Sequence, residues 1–313
     1  MKALKPRLTI LLYHGVTAHR SVGVENYSGK HIGKSEFESQ MSFLRERNLA
    51  VSMTEVLNRY EQGKFFDRDQ VAVTFDDGFR NNATVAAPIL ERHGIPAIFY
   101  VSTGMIGSSR MFWVDQIENL INRSDKSEIC VLLGDKRKLF SLSTNHKKVF
   151  AIEEIKSFCK RASDSDKNQV IAALALETGV SPSIASSPNS ATMSWNDVRA
   201  LDRSPLFLIG GHSIYHRILS RLPEDEMHRE IDGSLQTLER ELAHPVIHYA
   251  YPEGQAEHYN ESVIAHLKNK GIRCCPSAIF GRNGADESLF HLRRIMVGFN
   301  GRKFPFPEWT RQL

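Results

Sequence analysis

No segment of this 313-residue chain is a candidate membrane span, because no run approaches the roughly 20 apolar residues that a span needs. Cysteine is scarce. The four residues Cys130, Cys159, Cys274 and Cys275 show no CxxC metal spacing, and the adjacent pair is a poor structural crosslink, so all four read as ordinary thiols. An excess of one charge is missing too. Forty Lys and Arg stand against 36 Asp and Glu, and the two signs are interspersed, which excludes a nucleic-acid surface beyond a short basic tail with Arg302, Lys303 and Arg311. There is no internal repeat and no low-complexity tract. Lys2, Lys5 and Arg7 open the chain, but the apolar run Leu8 to Tyr13 is too short for a signal-peptide core and reads as a first strand. With Met1 as the start, the expectation is a cytoplasmic enzyme, one that could visit a membrane-bound substrate.

What is present is enough apolar material, 41% of residues, to bury the core of one large domain. Strand-like runs alternate with helix-like ones, the pattern of parallel βα units. Strands are predicted at Leu8 to Tyr13, Val71 to Phe75, Pro96 to Val101, Leu206 to Ile209, Val246 to Tyr251, Gly271 to Cys275 and Leu292 to Val297. Ser35-x-x-Glu38 matches a capping box before a helix with Phe37, Met41 and Leu44 on one face. Further helices are expected at Asn82 to Arg92, after Ser194 as N-cap, from Pro223 with Ile231, Leu235, Leu238 and Leu242 as its apolar stripe, and around Asn260 to Lys270. From about 107 to 190 the pattern loosens. Helical candidates there are Trp113 to Asn122 and Ile152 to Cys159, with a Ser/Pro-rich exit, and the stretch reads as an insertion in a single domain spanning 1–313.

Two motifs carry chemistry. Thr74-Phe75-Asp76-Asp77-Gly78 places two carboxylates at the mouth of a buried strand. Successive strand residues face opposite ways, so both aspartates serve one site only if the strand stops there, and Gly78 permits the turn. The second motif, Gly210-Gly211-His212-Ser213-Ile214-Tyr215-His216, also begins where a predicted strand ends. A helical turn would bring His212 and His216 to one face, where two imidazoles chelate a divalent cation. One carboxylate added makes a two-histidine, one-carboxylate set with open positions for water and substrate.

Together these motifs resemble the polysaccharide deacetylases of carbohydrate esterase family 4, the group with the NodB homology domain. Leu11-Leu12-Tyr13-His14-Gly15-Val16, Pro96 to Val101, Phe112-Trp113-Val114-Asp115, Ser194-Trp195, Ala250-Tyr251-Pro252-Glu253-Gly254 and Leu292-Arg293-Arg294-Ile295 extend the similarity in the expected order. The resemblance implies an α/β fold, an irregular (β/α)7-type barrel with its site at the strand C-terminal ends. It implies metal-dependent removal of an N-acetyl group from an amino sugar in a glycan, glycolipid or oligosaccharide precursor. Hydrolysis of another linear or cyclic amide, or an inactive carbohydrate-binding module, are the alternatives. By the same resemblance Asp76 is the base and Asp77, His212 and His216 hold the metal. Zinc is the choice for mixed histidine and carboxylate ligation, with cobalt, nickel and manganese also able to occupy such a set.

The chain departs from the commonest family pattern, which has a late Leu-x-His acid and an Arg-x-Pro segment that orients the base. Leu289-Phe290-His291 matches the first loosely, and Tyr251-Pro252-Glu253-Gly254 stands at the second without its arginine. The Tyr-His-x-Val form of the first strand is similar to a subgroup in which that histidine is the acid, which favours His14 over His291. Arg294, ahead of Arg293, is the candidate to keep Asp76 ionised, since a cation within about 4 to 6 Å lowers a carboxyl pKa. The backbone N–H of Tyr251 is the candidate oxyanion donor. Trp113, with Phe112 and Trp195, and the Tyr251-Pro252 segment are candidate substrate contacts.

Overall fold

The computed structural model describes residues 6–183, 187–300 and 304–305. Lys2, Lys5 and the basic tail residues Arg302, Lys303 and Arg311 lie outside them. In chain order the elements are β1 Leu8–Tyr13, β2 Gly15–Thr17, β3 His31–Gly33, α1 Lys34–Glu46, α2 Met53–Glu61, β4 Gln70–Phe75, a π-helical turn Asn82–Ala86 running into α3 Ala87–His93, and β5 Ala97–Val101. Then come α4 Trp113–Arg123, β6 Glu128–Leu133, β7 Lys136–Ser141, α5 Asn145–Arg161, α6 Asp164–Thr178, α7 Trp195–Asp202, β8 Phe207–Gly211, α8 Glu224–Leu242, α9 Glu261–Asn269 and β9 Ile295–Met296.

The chain divides into two compact units, one of residues 1–18, 29–108 and 192–313, the other of 19–28 and 109–191. In the first, a five-stranded parallel sheet runs in the order β8-β5-β4-β1-β9. Every residue of β1, β4 and β5 is buried, which is why these strands read as predominantly apolar runs rather than alternating ones. The parallel series continues beyond β8 as single bridges, Gly211 to Tyr249 and His248 to Cys274, and a parallel bridge joins Phe280 to Arg294. The strands expected at Val246 to Tyr251 and Gly271 to Cys275 are thus reduced to isolated pairings. Pro245, Pro252 and Pro276 bracket them, and proline neither donates to a ladder nor tolerates a central one. Only Ile295–Met296 of the run Leu292 to Val297 is a strand, because Leu292 accepts from Ser277 N–H and Arg294 donates to Ile279.

Helices cover this sheet with the faces their spacing dictates. α1 buries Phe37, Met41 and Leu44 as expected, but it starts at Lys34 with Gly33 as an N-cap that makes no side-chain hydrogen bond. The Ser35 capping box does not form, and Glu38 pairs with Arg92 instead. Ser194 does cap α7, in a reciprocal box with Asp197. In the second unit, the antiparallel hairpin of β6 and β7 turns Ile129, Val131 and Phe140 inward against Leu120 and Ile121 of α4, Ile152 and Ile155 of α5 and Leu174 of α6. All four cysteines are free. Among the described residues no helix is long and apolar enough to cross a membrane.

Candidate metal centre and active site

Asp76 and Asp77 sit where β4 stops. The Asp76 N–H still donates to Tyr13 O of the neighbouring strand at 3.0 Å, so Asp76 closes the ladder beside the end of β1. Asp77 then takes a left-handed backbone, φ 76°, followed by Gly78 at 86°. The turn therefore begins one residue earlier than the glycine alone suggested, and it sends the two carboxylates into one place. Asp76 meets Arg294 in a bidentate pair, Nη1 to Oδ1 at 2.8 Å and Nη2 to Oδ2 at 2.7 Å. Arg294 is fully buried, its Nε donating to Ser277 O at 2.7 Å and its Nη1 also to Thr74 Oγ1 at 3.2 Å. Burial alone would raise the Asp76 carboxyl, but the charge and hydrogen bonds of Arg294 overcome it and hold that carboxyl below its ordinary range. Arg293, the other candidate, is exposed and binds Asn283 through its backbone.

His212 and His216 converge without a helix. Residues 212–216 form a loop in which Ser213 (φ 62°) and His216 (φ 57°) are both left-handed. The loop's carbonyls are tied down: Ser102 Oγ donates to His212 O at 2.9 Å, Thr103 N–H to Ser213 O at 3.1 Å, and Gly104 N–H to Ile214 O at 2.9 Å. The His212 and His216 ring centroids end up 4.9 Å apart, with their Nε2 atoms 3.7 and 3.3 Å from Asp77 Oδ1. His212 Nδ1 lies 2.8 Å from Ala250 O and, as the donor there, leaves Nε2 as a lone pair. Burial lowers His212 to about 4, so its ring is neutral near pH 7. One ligand atom from each of Asp77, His212 and His216 can lie within 4.8 Å of the others. A carboxylate and two imidazoles, at least one of them neutral with its lone pair turned inward, make a donor set that fits a divalent cation.

His14 follows β1 directly. Its Nδ1 is buried and, among the described residues, has no hydrogen-bond partner. Its ring lies edge-on to Phe299, 5.1 Å between centroids. Burial drives its pKa down to about 3, against the opposing pull of Asp76. His291 is exposed, with Nδ1 3.2 Å from Tyr259 Oη. The Tyr251 ring is wholly buried, stacked on Tyr259 at 4.0 Å with its hydroxyl on Phe290 O, which leaves the backbone as its candidate contribution; among the described residues its N–H donates to no protein acceptor. Pro252 is buried and opens a tight turn, Gly254 N–H donating to its carbonyl at 2.7 Å. Trp195 packs against the core of the first unit; Trp113 packs against the core of the second, with Lys167 Nζ 5.7 Å from its ring, and Phe112 is 5% exposed. Sequence reasoning missed Ser102, Tyr249 and Glu230, which hold the histidine loop. Glu230 had a signal, an acid set at helical spacing between Met227 and Ser234 on the apolar face of α8.

A parallel α/β sheet carries this carboxylate and histidine set, one that could hold a divalent cation, at its strand ends, and sequence comparison supplies the family. The polysaccharide deacetylase family profile matches residues 64–133 and 163–275, more than half of the chain, which therefore belongs to that family. The break in the match falls on the hairpin turn, β7 and the whole of α5. A putative polysaccharide deacetylase, YxkH of Bacillus subtilis, is 28% identical over 122 residues, and the poly-β-1,6-N-acetyl-D-glucosamine N-deacetylase of Staphylococcus aureus is 33% identical over 95. These matches cover 38% and 30% of this chain, and the chain spans only 41% and 31% of the two relatives. Among solved structures, the Streptococcus pyogenes deacetylase PplD in complex with acetate superposes with a TM-score of 0.60 at 16% identity, covering 99% of this chain and 98% of that one. IcaB from Ammonifex degensii gives 0.59 at 16% identity, covering 93% and 92%. At such identities the likeness establishes a shared fold.

Proposed function

We propose that this chain is a zinc-dependent hydrolase that removes the N-acetyl group from an amino sugar within a glycan, glycolipid or oligosaccharide precursor. The observation that carries the reading is the adjacency of two differently equipped carboxylates: Asp76, locked to Arg294, and Asp77, facing His212 and His216. Membership of the polysaccharide deacetylase family and the S. aureus relative's activity support the sugar amide as substrate.

Zinc held by Asp77, His212 and His216 would supply Lewis-acid polarisation of the amide carbonyl and lower the pKa of water in the site. Asp76, kept ionised by Arg294, takes a proton from the attacking water as its oxygen bonds to the acyl carbon. The Tyr251 N–H donates to the oxygen that becomes negative. The C–N bond then breaks, and the nitrogen must gain a proton to leave as an amine. His14 delivers it. A neutral His14 enters the cycle without that proton, so the one removed from water is passed on, and products are acetate and the free amino sugar. His14 is preferred to His291 because it is next to Asp76 at neighbouring strand ends and responds to its charge.

Acetate release by zinc-reconstituted protein across N-acetylated mono- and oligosaccharides and ring amides tests the reading. Acetate from a sugar, abolished by chelator and by Asp76→Asn, is the expected result. Release only from ring amides, or none from protein holding stoichiometric zinc, would sink it.

A further inference from the structure

Four consecutive amides of the loop that carries both histidines are captured by side chains. Ser213 N–H donates to Tyr249 Oη at 2.7 Å, Ile214 and Tyr215 N–H both donate to Glu230 Oε2 at 2.9 and 3.0 Å, and His216 N–H donates to Ser213 Oγ at 2.9 Å. Three of the four captures lead to one face of α8. Glu230, Gly233 and Ser234 stand there at i, i+3 and i+4. Ser234 Oγ is 3.2 Å from Tyr249 Oη, and Gly233 leaves room for the loop, since a Cβ at that position would lie 2.6 Å from Ile214 Cδ1. Glu230 itself is 4% exposed, on a face shared with Met227, Ile231 and Leu238. A carboxylate is expensive there unless charge-assisted hydrogen bonds compensate. Core packing alone would favour an apolar residue.

We propose that Glu230 is a positioning residue for the metal centre. Its carboxylate clamps the backbone between His212 and His216, holds Ser213 and His216 in left-handed conformations that cost free energy, and so pre-organises the two imidazoles opposite Asp77. Without it the loop relaxes, and the histidines are ordered only when an ion arrives. The inference rests on the reading of Asp77, His212 and His216 as metal ligands. Groups that orient ligands without touching the ion are worth about 10- to 100-fold in metal affinity.

The test is zinc affinity of the full chain by competition with a chromophoric chelator, with the visible absorption of the cobalt-loaded protein as a readout of ligand geometry. Glu230→Ala is expected to weaken zinc binding about 10- to 100-fold and to shift the cobalt bands. Glu230→Gln, which keeps one carbonyl oxygen for the amides, is expected to weaken it by less. Leu242→Ala, a packing loss farther along the same helix, is expected to lower the melting temperature and leave zinc affinity unchanged. Wild-type zinc affinity and cobalt spectrum in folded Glu230→Ala would overturn the proposal, as would the same in Glu230→Gln if the alanine variant does not fold. Equal loss of affinity in Leu242→Ala would also overturn it, by showing that helix packing suffices. Wild-type protein that binds neither metal would instead overturn the metal-centre reading, and is distinguished because it is measured before any variant.

Discussion

Asp76 and Arg294 share two hydrogen bonds in a site that solvent barely reaches, so neither partner is neutral to remove. Arg294→Met leaves a buried carboxylate without its cation and is expected to cost about 3 to 5 kcal/mol of unfolding free energy in urea titrations of the metal-free protein. The double variant Asp76→Asn with Arg294→Met, having no orphaned charge, is expected to recover part of that loss, and strict additivity would refute the coupling. In the proposed reaction Asp76→Asn is expected to lower kcat by about 100- to 10,000-fold while leaving zinc bound. A different residue contributes to acid sensitivity. His248 is buried with neither ring nitrogen hydrogen-bonded among the described residues, and burial, helped by Arg273, pushes it down to about 4. Unfolded, it titrates near 6.5. Between these values the unfolded chain holds a proton that the folded one does not, so stability is complete above about 6.5 and falls as pH drops toward 4. One such group contributes about 1.4 kcal/mol per pH unit. His248→Leu is expected to flatten the stability profile by about one proton in that window, with His14, His31 and His212, displaced the same way, keeping a residual slope. An unchanged slope would assign the acid sensitivity elsewhere.

Two helix starts with the same kind of sequence signal behave differently. Ser194→Ala removes a formed capping box and is expected to cost about 1 kcal/mol, whereas Ser35→Ala, inside α1, is expected to change stability by less than about half of that. Denaturant midpoints of the two variants measure the contrast. The same distinction explains what could be read in advance. The strands β1, β4, β5 and β8 were legible because burial on both faces makes them predominantly apolar, and Asp76 and Asp77 were legible because a strand end is a place, not a shape. The hairpin was not, since the outward residues Cys130, Leu132 and Leu139 are apolar too and blur the alternation of Ile129 and Val131. Helix α6 was missed because Ala172, Ala173, Ala175 and Leu176 spread apolar character around its circumference and leave no stripe. For the histidines the spacing of four pointed to two rings that do converge, but by way of a helical turn that does not form: the convergence comes from left-handed backbone and tethers distant in sequence, which no local period encodes.

At the scale of the molecule, the two units have separate apolar cores, and only the first holds Asp77, His212 and His216. Differential scanning calorimetry is expected to resolve two transitions, of which zinc raises only one, by about 2.7 kcal/mol at a free concentration 100 times its dissociation constant. Ile152→Ala, in the core of the second unit, is expected to lower only the other. A single transition moved by both would show that the units unfold together. The division also bears on how the protein is made. β5 pairs in register with β8, yet about 110 residues separate Val101 from Gly211, and the second unit is encoded almost wholly between them. At ribosomal rates of about 5 to 20 residues per second, the nascent sheet waits on the order of 5 to 20 s with the β5 edge bare. Asp77 emerges before that interval and both histidines after it, so all three can capture a metal ion only once β8 has been made, while β9 on the opposite edge of the sheet is still to come.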